Sequence, residues 1–173
     1  MVPASRFPLF VPPTFLNVTA ISAQNGQSVL ECWQILPGFS TSSQSGTVGA
    51  SILQLGNVAN MSYSVIPPGF NAGLHNAPAT QWVAFLSGLA HVTLPDSSDE
   101  AYFFGGKGDF LFAADTAAAS IKGHSTKYPS RFETRVLQIP TGGTIPQHSV
   151  LHSGPCETHQ QPAKRVRSLD DLD

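Results

Sequence analysis

Apolar residues along this chain come in short runs, and no long window repeats them at the three-and-four spacing of a helix. The runs are separated by Gly, Pro, Asn and Asp, the punctuation of sheets joined by tight turns. This pattern predicts strands over 28–35 (SVLECWQI), 47–56, 61–67, 81–88, 90–95, 100–105, 109–114 and 133–140. Many short strands with almost no helix predict an all-β fold, a sandwich or a barrel. The stretches LSGLAH, PDSSDE and GGKGD place Gly or Asp where reversals need positive φ or an Asx turn, which favours a meander order.

Composition then bounds the picture. With 173 residues, 41% hydrophobic and 12% charged, the chain is long enough for one domain with its own core. The Pro-rich residues 1–14 read as an extended arm, 15–155 as the β domain, and 156–173 as a polar tail in which KRVR precedes an acidic cluster. A net charge of −2 offers no basic field for nucleic acid. Pro3, Pro8, Pro12 and Pro13 interrupt the apolar N-terminus, so neither a secretory core nor a membrane span is expected, and a cytoplasmic location follows. The sequons at Asn17 and Asn60 keep secretion open. Cys32 and Cys156 read as reduced structural thiols, with a single bridge as the alternative.

The candidate chemistry lies in GFNAGLHNAPATQWVAFLSG, residues 69–88, and in GDFLFAADTAAASIKGH, which starts at Gly108-Asp109 and ends at His124. On these residues the chain resembles single-domain cupins, a family of jelly-roll-like double-stranded β-helix barrels. More narrowly, it is similar to small microbial members with an HxAPxxQ core. The resemblance covers roughly residues 47–152 and implies a cupin-type barrel more strongly than any one reaction. The first family motif, GxxxxxHxHxxxExxxxxxG, keeps every spacing here from Gly69 through His75 to Gly88, but Ala77 and Gln81 replace the second His and the Glu. The family's later His is carried over to His124, although more residues than usual separate it from the Gly-Asp turn. Residues 75, 77 and 81 share parity along an extended segment, so all three can face the barrel interior while Trp82, Ala84 and Leu86 face away.

The resemblance implies a metal held by three imidazoles and a carboxylate. This chain keeps His75, His124 and the neutral amide of Gln81, so the expectation is no cofactor or a weakly held Fe, Mn, Zn or Ni ion. Asp115 is the nearest carboxylate. Without a firm metal, His75 and His124 become acid and base and Gln81 an orienting group. Val83 and Phe85 are inward strand positions that would line an apolar cavity, Tyr63 and Trp33 would add a hydroxyl or a stacking face, and His91 lies either beside the site or in solvent. His148, His152 and His159 sit in a Pro- and Gly-interrupted stretch that argues against helical zinc spacing. The resulting expectation is an enzyme of secondary metabolism that cyclises, isomerises or dehydrates a small apolar or aromatic, polyketide-like metabolite. A metal-dependent oxygenase and a non-catalytic binding barrel are the alternatives, and the arm and an open sheet edge leave a homodimer open.

Overall fold

The computed structural model describes residues 13–107 and 109–160; most of the Pro-rich arm, Gly108 of the expected turn and the KRVR end of the tail lie outside the described residues. The strands are β1 (Leu16–Gln24), β2 (Gln27–Ile35), β3 (Ser40–Thr41), β4 (Ser51–Ile52), β5 (Ser62–Ile66), β6 (Asn71–His75), β7 (Gln81–Ser87), β8 (Leu89–Thr93), β9 (Glu100–Phe104), β10 (Phe110–Ala113), β11 (His124–Lys127), β12 (Thr134–Pro140) and β13 (His148–Ser153). A 3-10 turn at Thr158–Gln160 is the only helical element among the described residues, and no helix there is long and apolar enough to cross a membrane. The fold is therefore all-β, as the period-two pattern predicts.

A seven-stranded sheet, β13-β2-β1-β10-β7-β12-β5, faces a four-stranded sheet, β6-β11-β8-β9, in a barrel-like arrangement; β3 and β4 form a separate short ribbon. Among the described strands, sequential neighbours pair in β1-β2, β3-β4 and β8-β9, and the meander expectation fails elsewhere. Instead β10 lies parallel to β1, and β7 sits between β10 and β12. The expected strand over 47–56 shrinks to β4, because Gly46, Gly49 and Gly56 take positive φ and break the extended run.

Two cores flank the larger sheet. Its inner face buries Ile21, Leu30, Phe85, Leu111 and Val136 against Val92 and Phe103 of the smaller sheet. Its outer face buries Val18, Trp33, Ile35, Trp82 and Phe112, with Leu53 and Leu55 packed over them. Trp82 stacks on Phe110 at 4.8 Å between centroids and meets Phe112 edge-on, geometries that favour aromatic pairs. Burial on both faces explains why β10 reads as the continuous run FLFA rather than as an alternation.

The cysteines correct the reduced reading. Cys32 on β2 is bonded to Cys156, just beyond β13, across 124 residues. The start of the tail is thus stitched to the sheet: Cys156 N–H donates to Thr19 Oγ1, and Asn17 Nδ2 donates to the Gln160 carbonyl.

Candidate functional site

Between the sheets lies a cavity of about 410 Å³, within the range of small-molecule sites. His75, Gln81, Val83, Phe85 and His124 all line it, as does Ala77, so the parity argument for 75, 77 and 81 agrees with the structure. Trp82, one residue out of step, lies in the outer core.

Three expected lining residues are placed elsewhere. Trp33 belongs to the outer core, where its Nε1–H donates to Glu31 and its ring stacks on His148 at 3.6 Å; β2 presents residue 33 to the outer face because it pairs with Val18. Tyr63 is exposed, since β5 turns Ser64 and Ile66 inward instead. His91 is on the outer side of β8, bonded to Glu100 at 2.8 Å and stacked on Tyr102. His148 and His152 do not converge: a register shift separates them on β13, and His152 turns to Ser153 and Gln160. The side chain of His159 lies outside the described set.

Cross-strand pairing of β6 with β11 puts His75 directly opposite His124, with ring centroids 4.6 Å apart. The approach depends on Gly123, whose φ of +71° and missing side chain let β11 start against the His75 carbonyl. Each ring is held by Nδ1. His75 Nδ1 lies 3.0 Å from the Gly73 carbonyl and His124 Nδ1 2.7 Å from Asp115 Oδ2. A carbonyl and a carboxylate only accept, so both Nδ1 atoms carry a proton, and a ring that is neutral keeps its lone pair on Nε2.

Behind His124 stands a buried chain of donors. Gly123 N–H donates to Ser120 Oγ, Ser120 and Ser28 hydroxyls are 2.8 Å apart, and Ser28 donates to Asp115 Oδ2 at 2.7 Å. Asp115 is fully buried, with Oδ1 unpartnered. Asn76 clamps the same loop by donating to the carbonyls of Asp115 and Ser120. The extra length before His124 therefore has a use: residues 114–123 carry Asp115 and Ser120, the groups that hold the imidazole.

Two imidazoles and an amide face the cavity, the nearby carboxylate is already engaged behind His124, and among the described residues no three His, Cys, Asp or Glu side chains are grouped to hold an ion. Catalytic divalent sites generally use three firm protein ligands, so these residues do not fit a tightly held metal.

Sequence reasoning missed Ser64, Gln138, Asn76, Thr126 and Tyr128 in the lining. Ser64 donates to Gln138 Oε1 at 3.0 Å, leaving the Gln138 amide nitrogen as its remaining donor. Burial pushes the Tyr128 phenol above its ordinary value, so it stays protonated as a donor. No signal short of the β12-β5 register would have found Ser64 and Gln138. No family model and no curated protein matches the chain.

Proposed function

We propose that this chain is a cupin-like barrel whose edited motif works without a firm metal, as an enzyme that moves protons on a small, apolar or aromatic oxygenated compound. The observation that supports it best is the Asp115–His124 pair beside His75 at a cavity whose wall mixes apolar side chains with neutral polar ones. Asp115 fixes the tautomer of His124 and stabilises its protonated form, the role a carboxylate has behind any catalytic imidazole. His124 Nε2 takes a proton from the carbon next to a ligand carbonyl; the C–H electron pair becomes the C=C bond of an enolate, and the carbonyl π pair moves to oxygen. Gln81 Nε2–H, Gln138 Nε2–H or Tyr128 O–H donates to that oxygen. The imidazolium returns the proton to another carbon, which is isomerisation, or to a departing hydroxyl, which is dehydration. Cyclisation follows when the enolate carbon meets a second carbonyl of the same ligand.

Hydrogen–deuterium exchange at carbon tests this without knowledge of the natural substrate. In D2O, the wild type should exchange α-protons of small neutral ketones faster than protein-free buffer, as followed by proton NMR. His124→Ala should lower that rate by roughly 10²–10⁴-fold, the usual contribution of a positioned base. Wild-type exchange at background, or an unimpaired His124→Ala, leaves the non-catalytic binding barrel as the better reading.

A further inference from the structure

The lining of the cavity is specific enough to name a ligand class. Among the described residues no Lys, Arg, Asp or Glu lines it, so a ligand with a full charge would lose its hydration without a fixed counter-ion from them. His75, Gln81 and His124 cluster where β6 ends and β7 and β11 begin, with Gln138 on the neighbouring β12; Ser64, Asn76, Thr126 and Tyr128 are the other polar groups of the wall. Ile66, Phe85, Val92, Leu111 and Val136 form the apolar remainder.

Gln81 carries the inference. Its side chain is 5% exposed, it lines the cavity, and its amide has no hydrogen-bond partner among the described residues. Its amide atoms are open to the cavity rather than sealed in the wall, so a ligand there would meet them. Its Nε2–H needs an acceptor. The Nε2 lone pair of a neutral His75 or His124 needs a donor, and the two rings lie 4.6 Å apart in the same lining. A ligand that offers an acceptor and a donor together on a neutral, flat, otherwise apolar frame is an enolised 1,3-dicarbonyl.

We infer that the cavity takes a neutral, enolisable 1,3-dicarbonyl with an aromatic body, its enol hydroxyl donating to the His75–His124 pair and its carbonyl oxygen accepting from Gln81. This rests on the proton-transfer reading of the same site, because the enol is what forms when a base moves the proton of the carbon between two carbonyls to one of their oxygens.

Isothermal titration with three probes of one carbon skeleton tests the class: 1-phenylbutane-1,3-dione, 1-phenylbutan-1-one and 4-phenylbutanoate. The dione should bind about two- to tenfold more tightly than the ketone, as expected for one added hydrogen bond, and the carboxylate more weakly than either. Gln81→Leu should abolish the dione's advantage. Gln81→Glu, nearly the same shape but without a donor when ionised, should do so too if the leucine variant does not fold. The carboxylate binding best, none of the three binding, or a preference unchanged in a folded Gln81 variant overturns the inference. Deuterium exchange separates it from the catalytic reading: a dione preference without exchange upholds the ligand class and refutes catalysis, whereas exchange with a preferred anion does the reverse.

Discussion

Gly123→Ala is the substitution whose cost can be worked from the fold. A methyl group there would sit 2.7 Å from the Asn76 nitrogen and deeper still into the His75 carbonyl group, distances that real Cβ atoms do not tolerate. It would also hold φ at +71°, a left-handed value that costs a residue with a side chain about 1–2 kcal/mol. Relieving the overlap means moving β11 from β6, and overpacking of this kind costs about 1–3 kcal/mol. The sum, about 2–5 kcal/mol, lowers Tm by roughly 4–20 °C for a domain of this size. Gly142→Ala is the control, since it has φ of +63° and nothing within 4 Å, and so carries only the conformational part. Thermal melts followed by circular dichroism compare the two, and carbon-bound deuterium exchange reads the site, because the displaced strand carries His124. If Gly123→Ala melts within about 1 kcal/mol of Gly142→Ala, using the same conversion, the tight β6-β11 approach is not what builds the histidine pair.

Two further outcomes follow from the same coordinates. Reducing the Cys32–Cys156 bond reopens a loop of 124 residues, and the chain-entropy model puts the loss at up to about 5 kcal/mol; urea titrations with and without reductant should differ by a large part of that, and coincident curves would show that the bond does not constrain the unfolded chain. The raised Tyr128 phenol means that the unfolded chain releases this proton first, so its contribution is complete below the ordinary tyrosine value of 10.0 and declines as pH rises above it. Tyr128→Phe should flatten that alkaline decline, measured as Tm against pH; an unaltered slope would assign the decline to other groups.

How much of this was legible in the chain depended on whether a local pattern carried it. Strands such as 81–88 and 100–105 were readable because their alternation survives: Gln81, Val83 and Phe85 face in while Trp82 faces out. β1 and β13 were not, since LNVTAISAQ and HSVLHS mix polar and apolar residues and acquire their order from pairing with β2. His75 and Gln81 followed from spacing within one segment, and His124 from a looser correspondence. The role of Asp115 was only half legible, because a carboxylate nearby in sequence gives no hint whether it stands in front of the imidazole or behind it. Trp33 was misplaced because the second apolar layer outside the larger sheet, roofed by Leu53 and Leu55, cannot be told from the inner one by counting hydrophobic residues, and Tyr63 because β5 turns Ser64 and Ile66 inward and leaves the phenol ring exposed.

The absence of Lys, Arg, Asp and Glu among the described residues of the cavity wall also has a kinetic meaning. Steering by a field speeds charged partners towards a site and fades as salt is added, but lone pairs and amides exert little pull beyond contact distance. A neutral ligand would therefore arrive by unassisted diffusion, at a rate indifferent to ionic strength. Its residence would be governed by the apolar wall of Phe85, Val92 and Leu111, and the heat capacity of the complex would fall as that surface is covered. Such a pocket selects by what a molecule does not need, a counter-ion, before any of its polar groups is read.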